Sequence, residues 1–145
     1  MSRYRSAPRK TGPRNNGAIK IEIDGRVFHS KVEGFRYLEL KDRQKRGLIS
    51  DLECQPRYKI IHPLKVHEPK LKDKLVCTYI GDFRYLRNGV EVTEDVKGAA
   101  GSDIFNLKKK MVRMFLDIHI VEVRRRGRMS PNGKYQWECD GIAEK

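Results

Sequence analysis

The sequence lacks any long hydrophobic run: no apolar segment approaches the roughly 20 residues that a transmembrane helix requires. Its first residues, MSRYRSAPRKTGPRNNG, also lack the apolar stretch of a secretory signal. These two absences predict a cytoplasmic protein without a membrane partner. A Walker-type glycine loop is missing as well, which argues against nucleoside triphosphate hydrolysis.

Cysteine is scarce, with Cys54, Cys77 and Cys139 as the three examples and no CxxC pair among them. An odd number without that spacing predicts free thiols, as in an intracellular protein. A zinc site that combines these cysteines with His62 or His67 stays open, although the spacing fits no standard pattern.

Residues 1–20 hold six Lys or Arg and no acidic residue. Residues 124–145 have a net charge of +3, and the net charge of the whole chain is +13. Basic ends around a nearly balanced centre favour a polyanionic partner, above all nucleic acid. The alternative is a charged surface that serves solubility and has no specific partner. At 145 residues, the chain is long enough for one domain with a modest core.

The composition divides the chain into three regions. Residues 1–17 are rich in Arg, Pro, Gly and Asn, which predicts a disordered basic arm. Residues 18–123 carry the periodic patterns of a folded domain. Residues 124–145 form a basic extension, which either adds a hairpin around Asn132-Gly133 or stays mobile.

The folded region begins with a predicted hairpin at Asp24-Gly25, followed by a helix that Ser30 caps and Gly47 ends. The segment ISDLECQPRYKII then alternates as one strand, which Pro56 places at an edge or a bulge, and residues 62–74 predict a surface loop. The segment SDIFNLKKKMVRMFLDIHI predicts a second helix. Its apolar stripe, which we expect to face the core, consists of Ile104, Leu107, Met111, Met114, Phe115 and Ile118.

Between the loop and the second helix, YIGDFRYLRNGVEVTEDVKG predicts two strands joined at Asn88-Gly89. The whole order is helix, three antiparallel strands, helix and strand, which predicts an α/β fold with a mixed sheet and a helix on each face. A two-residue turn places Asp82 directly opposite Asp95, with Cβ atoms about 4.5–5.5 Å apart. Lys97 projects from the same face and Glu94 from the other. A longer loop would shift the register and separate the two acids.

Opposed carboxylates destabilise a sheet unless a proton or a metal neutralises them. Two carboxylates at this separation can bind Mg²⁺ or Mn²⁺, which polarises a phosphoryl oxygen during phosphodiester hydrolysis. Lys97 can stabilise charge on the phosphate or help to deprotonate the attacking water. The structural alternative is that Asp82 simply forms an ion pair with Arg84 or Lys97.

Asp82, followed by Asp95-Val96-Lys97 at the end of the next strand, resembles the signature of the PD-(D/E)XK nuclease superfamily. The blocks SKVEGFRYLEL, ISDLECQPRY, YIGDFRY and EDVKG are similar to a family of small phage-encoded proteins assigned to that superfamily. The resemblance covers about residues 18–123. It implies a restriction-endonuclease-like α-β-β-β-α-β core and a metal-dependent hydrolysis that leaves a 5′-phosphate.

The resemblance also implies a role for each matching residue. Asp82 matches the acid of the second motif, although Gly81 stands where the superfamily name has proline. Asp95 matches the (D/E) position and Lys97 the lysine, so that the two aspartates would bind Mg²⁺ (or Mn²⁺) and Lys97 would act at the scissile phosphate. Glu94 would replace Asp95 if a bulge shifted the strand.

Glu33 matches an acid of the first helix that helps to hold metal or water in many members, but with Ser30 it also forms a capping box. Lys108 and Lys110 either contact backbone phosphate or form a solvated helix face. Tyr135 and Trp137 either stack on bases or belong to a hairpin core. The residues expected to bind nucleic acid are Gln55, Lys108, Lys110, Arg124, Arg125 and Arg126.

Together these expectations describe a Mg²⁺-dependent DNA endonuclease, selective for branched DNA such as a Holliday junction. It would act in phage recombination or replication, in the cytoplasm of the bacterial host. Symmetric cleavage of a junction would call for a homodimer. The alternatives are a non-catalytic DNA-binding protein that keeps the fold, or a nuclease of other specificity: site-specific, packaging-associated or active on RNA.

Overall fold

A computed structural model describes residues 19–62, 74–98, 102–140 and 142–143. The predicted arm at 1–17 and most of the predicted loop at 62–74 lie outside this part of the chain. The strands are β1 (Ile21–Ile23), β2 (Arg26–Phe28), β3 (Ser50–Cys54), β4 (Arg57–His62), β5 (Lys74–Ile80), β6 (Phe83–Arg87), β7 (Val90–Lys97), β8 (Ile120–Arg126), β9 (Gln136–Cys139) and β10 (Ile142–Ala143). The helices are α1 (Lys31–Lys45) and α2 (Asp103–Leu116).

The main sheet is mixed, with strand order β10-β9-β8-β7-β6-β3. Only β7 and β8 run parallel in it, and α2 connects them. Arg36 of α1 binds Glu94 on one face of β7. Lys109 of α2 binds Glu122 of β8. Glu122 is the register partner of Asp95, which projects from the other face of β7, so α2 lies on that face. The predicted α/β architecture, a mixed sheet with a helix on each face, is therefore confirmed.

Both predicted two-residue hairpins are present. In the β6–β7 turn, Asn88 and Gly89 have φ of 51° and 76°, the left-handed values that a type I′ turn requires at both positions. The register runs from Arg87 opposite Val90 to Phe83 opposite Glu94, as the sequence predicts. The β1–β2 hairpin turns in the same way at residues 24–25.

The single strand predicted for residues 49–61 is wrong, because the chain breaks between β3 and β4. Gln55 has a left-handed φ of 56°, and Pro56 has no N–H to donate to a ladder. β3 stays at the edge of the main sheet, whereas β4 pairs with β5 in a separate two-stranded ribbon. The N–H of Gln55 still donates to the backbone carbonyl of Asp82 (2.8 Å), and the N–H of Gly81 donates to that of Pro56 (3.1 Å). The bend between β3 and β4 therefore remains paired with the bend between β5 and β6.

The predicted core stripe of α2 is largely wrong. Val112 is fully buried against Tyr58, Tyr79 and Ile120, and it lies on a different side of the helix from the stripe. The helix is rotated in this way because the β4–β5 ribbon, which the sequence did not reveal, packs against it. Four members of the stripe are 49–79% exposed, namely Ile104, Leu107, Met114 and Phe115.

Part of the predicted C-terminal extension belongs to the fold. β8 continues to Arg126, and β9 pairs with it antiparallel. Trp137 of β9 is 3% exposed, and the guanidinium of Arg36 lies 5.1 Å from the centre of its ring. Trp137 is therefore a core residue. None of the three cysteines forms a disulfide, and neither described helix is long and apolar enough to cross a membrane.

Candidate functional site

A cleft of about 430 Å³ lies where the N-terminal halves of α1 and α2 approach the end of β7. The edge of β5 borders the cleft through Thr78, Tyr79 and Ile80. The other polar side chains of its wall come from α1, the connection before β6, β7, and the start of α2 with the residue before it. They include Glu33, Asp82, Asp95, Lys97, Ser102 and Lys108.

Asp82 immediately precedes β6 and is hydrogen-bonded to β7 just beyond the last ladder pair, Phe83 opposite Glu94. Its backbone N–H donates to the carbonyl of Glu94 (3.0 Å), and its Oδ2 accepts a hydrogen bond from the N–H of Val96 (2.7 Å). This contact brings Asp82 beside Asp95 in the same cleft, as the register predicts. Burial, and then the charge of Asp95, raise the pKa of Asp82 to about 7.

Asp95 is 6% exposed, and both of its carboxylate oxygens have partners. The Nζ of Lys97 lies 2.5 Å from Oδ1, and the hydroxyl of Tyr79 donates to Oδ2 at 2.6 Å. Lys97 also lies over the ring of Phe105 of α2, 3.5 Å from its centre. Burial and the charge of Asp95 raise the pKa of Tyr79, which keeps its proton available for this bond.

Sequence reasoning did not identify Tyr79 as a site residue. Its position depends on the β4–β5 ribbon, in which Tyr79 pairs with Tyr58, and on the bend that turns this ribbon back over β7. No short motif in the sequence encodes a long-range pairing of this kind. The one available signal was the position of Tyr79 three residues before Asp82 in an alternating segment.

Glu33 lies in the cleft wall, and it also completes the predicted cap of α1. The Oγ of Ser30 accepts from the N–H of Glu33 (3.2 Å), while the carboxylate of Glu33 accepts from Ser30 Oγ (3.1 Å) and from the N–H of His29 (3.1 Å). Both carboxylate oxygens therefore stabilise the start of the helix. A role for Glu33 in holding metal or water remains a prediction.

Glu94 lies on the opposite face of the sheet and does not enter the cleft. Arg36 binds it through two hydrogen bonds of 2.9 and 2.6 Å, and the hydroxyl of Tyr85 donates to it as well. Both partners of this ion pair are essentially fully buried. Glu94 thus holds α1 against the sheet, and no bulge exchanges it with Asp95.

The donor set of the cleft fits a hard cation. Asp82 and Asp95 supply carboxylate oxygens, and burial, together with the neighbouring charge of Asp95, raises the pKa of Asp82. Mg²⁺ typically uses one or two protein carboxylates and completes its octahedral shell with water and phosphate. In the described part of the chain, no three His, Cys, Asp or Glu side chains converge closely enough to hold a metal without rearrangement.

The residues expected to bind nucleic acid lie in three places. Gln55 is exposed at the bend between β3 and β4, and its N–H is bonded to Asp82. Lys108 lines the cleft, on the α2 side. Lys110 lies in a different depression, with Arg113 and His119.

The arginines of β8 have partners within the fold. Arg124 binds Glu122 (3.1 Å), and Arg126 binds Glu138 (3.4 Å). The guanidinium of Arg125 lies 5.0 Å from the centre of the Tyr135 ring. Binding of nucleic acid by these three arginines remains a prediction, and it would have to compete with these contacts.

No curated protein and no solved structure matches this chain. One protein-family model does, with the description "Protein of unknown function (DUF1064)", over residues 14–129. This match spans α1, the paired aspartates, Lys97, α2 and β8, so that the whole candidate site falls inside it. The chain belongs to the DUF1064 family.

Proposed function

We propose that this protein is a metal-dependent DNA endonuclease. The observation that carries the proposal is the hydrogen bond from the N–H of Val96 to Asp82, which holds Asp82 beside Asp95 and Lys97 in one cleft. Two acids can hold a divalent cation, and a lysine beside them can stabilise the charge that develops on a phosphate during phosphodiester hydrolysis. The order α1-β3-β6-β7-α2-β8 in the main sheet supports a restriction-endonuclease-like core.

Asp82 and Asp95 would hold Mg²⁺ (or Mn²⁺), with help from Glu33 if its cap contacts loosen. The bound ion would polarise a phosphoryl oxygen and lower the pKa of a water molecule. Lys97 would stabilise the charge that develops on the phosphate, and the position of its ammonium beside Asp95 in the same cleft supports this role. Tyr79 fixes the orientation of Asp95 through its hydrogen bond to Oδ2.

For the substrate, we propose branched DNA, such as a four-way junction, cleaved during phage recombination or replication. The support is the resemblance described above and the net charge of +13, which suits a large polyanionic target. Comparing cleavage of a four-way junction, a flap, a linear duplex and single strands tests this choice. Equal rates on the junction and the linear duplex would contradict it.

One observation favours the non-catalytic alternative. Lys97 and Tyr79 already occupy both oxygens of Asp95, as they would in a site that had exchanged its metal for an internal ion pair. Such a protein would bind DNA but would not cleave it. Cleavage must therefore be tested directly.

A plasmid-nicking assay with Mg²⁺ at pH 8 separates the two functions. We expect the wild-type protein to nick supercoiled DNA, and EDTA, Asp82→Ala and Asp95→Ala each to lower the rate by at least about 100-fold. Glu91→Ala is the matched control, because Glu91 lies on the same face of β7 as Asp95 but is exposed and outside the cleft. Equal nicking by the wild type and Asp95→Ala would overturn the catalytic assignment.

A further inference from the structure

Two exposed cations lie on β4, one strand away from the cleft. In the register of the β4–β5 ribbon, Arg57 is opposite Ile80 and Lys59 is opposite Thr78. Directly opposed residues of an antiparallel pair project from the same face. Thr78 and Ile80 line the cleft together with Tyr79, which reaches it from the opposite face of β5, so Arg57 and Lys59 lie on the exposed face of the ribbon, one strand beyond the residues that border the cleft.

The alternation of β4 fixes the direction of these two side chains. Tyr58 and Ile60 point to the opposite face, where they are buried against α2, and the hydroxyl of Tyr58 is hydrogen-bonded to Thr93 (2.7 Å). Arg57 and Lys59 therefore project into solvent, and both are exposed. They are two residues apart, which corresponds to about 6.6 Å along a strand.

Within residues 19–62, 74–98, 102–140 and 142–143, neither Arg57 nor Lys59 forms an ion pair. This distinguishes them from Lys97 and from two of the arginines of β8, Arg124 and Arg126, which bind carboxylates of the same fold. A cation that has no internal partner can bind a phosphate without first giving up an ion pair. Arg57 and Lys59 on β4 thus add available positive charge beside the cleft, in addition to Lys108 of its wall.

We propose that Arg57 and Lys59 bind backbone phosphates of the nucleic acid strand on the β4–β5 side of the cleft. This inference rests on the proposed function, and it assigns a direction to the substrate: from the cleft outward across the face of the ribbon. Lys108 lines the α2 side, so the phosphate between the two flanks lies over Asp82 and Asp95. Contacts of this kind position the backbone and carry no sequence preference.

Binding of a fluorescent 30-base-pair duplex in EDTA tests the proposal without cleavage. We expect Arg57→Gln/Lys59→Gln to raise Kd by about 10-fold or more at low salt. The slope of log K against log salt should fall by about 1.8, since each lost phosphate contact releases about 0.9 counterion fewer. The charge-keeping exchange Arg57→Lys/Lys59→Arg should retain most of the affinity and the slope.

Arg26→Gln/Lys45→Gln is the matched control, because it removes the same charge from exposed positions of β2 and α1, on the other side of the sheet. An equal loss of affinity in this control, an unchanged salt slope in Arg57→Gln/Lys59→Gln, or no duplex binding by the wild type would each overturn the proposal. A protein that binds as expected but never nicks DNA would refute the nuclease and leave the β4 surface standing. If the wild type nicked DNA but Arg57→Gln/Lys59→Gln left the salt slope unchanged, the nuclease would stand and the β4 surface would be refuted.

Discussion

Lys97 reaches back along β7 and places its Nζ 2.5 Å from the Oδ1 of Asp95, two residues earlier on the same face. The ring of Phe105, 3.5 Å from the same nitrogen, supports the ammonium from α2. The lysine thus lies where a cation bound to Asp95 would also lie. Lys97 and a divalent metal are expected to compete for this oxygen.

Lys97→Met is expected to separate metal binding from catalysis. Removing a like charge a few Å from the ion should raise the Mg²⁺ affinity by roughly tenfold. The cleavage rate should fall by about 10²- to 10⁴-fold, because the group that acts at the phosphate is lost. Titration calorimetry measures the first effect and the nicking assay measures the second.

Lys108→Met is the control for this variant, since it removes the same charge from the cleft wall without a bond to Asp95. It should change the Mg²⁺ affinity less than Lys97→Met does. A loss of Mg²⁺ affinity in Lys97→Met would mean that the lysine organises the site rather than competing with the metal.

Tyr79→Phe is expected to slow cleavage by about tenfold at saturating Mg²⁺, because Asp95 loses the hydrogen bond that orients its Oδ2. Tyr58→Phe is a closely matched control: Tyr58 pairs with Tyr79 in the ribbon and donates to, or accepts from, Thr93. Each variant should lower the free energy of unfolding by about 1 kcal/mol. Only Tyr79→Phe should lower the cleavage rate, and equal slowing of both would assign the effect to the ribbon as a whole.

The raised pKa of Asp82 predicts an inverse dependence of stability on pH in the absence of metal. The folded protein holds a proton up to pH about 7, whereas an unfolded aspartate releases it near pH 3.9. Between these values the folded state binds more protons, so the free energy of unfolding decreases as pH rises. The total decrease is about 4 kcal/mol at most, and the partial exposure of Asp82 reduces it.

Asp82→Asn should remove this dependence. We expect urea denaturation to show that the variant is more stable than the wild type at pH 8, by about 2 kcal/mol, with little difference at pH 4. Mg²⁺ should stabilise the wild type at pH 8 and have a smaller effect on the variant. If the free energy of unfolding rose between pH 4 and 7 to the same extent in the wild type and in Asp82→Asn, the raised pKa would not belong to Asp82.

The buried ion pair between Arg36 and Glu94 is expected to matter for folding and not for the metal. Arg36→Met leaves a buried carboxylate without its partner and should cost about 3–5 kcal/mol of unfolding free energy. The double variant Arg36→Met/Glu94→Leu should recover part of this loss. Mg²⁺ affinity in Glu94→Gln should equal that of the wild type, and a large loss of affinity would place Glu94 back in the site.

The register of the β6–β7 hairpin could be predicted because it depends on local chemistry. Asn88-Gly89 tolerates left-handed backbone at both positions, and a two-residue turn leaves one register for everything behind it. The presence of Asp82 and Asp95 in one cleft then followed from counting residues back from the turn. The capping of α1 by Ser30 and Glu33 was equally local and equally predictable.

The β4–β5 ribbon could not be predicted, because it depends on the left-handed backbone conformation of Gln55, which the amino-acid composition does not indicate. A left-handed residue before proline turns one apparent strand into two, and the second strand leaves the main sheet. That departure changes which side of α2 is covered, so Val112 is buried and Met114 is not. Periodicity indicates that a helix has an apolar side, but it does not indicate what packs there.

The two-residue turn at Asn88-Gly89 also sets a tolerance for change in length. Successive residues of a strand project to opposite faces, so one residue inserted between the turn and Asp82 would move the carboxylate to the side of Arg36. Inserting one residue on each strand would restore the facing pair at a greater distance from the turn. Changes in the length of this hairpin should therefore be accepted only in matched steps, while a single insertion separates the two acids and also turns buried side chains such as Phe83 away from the core.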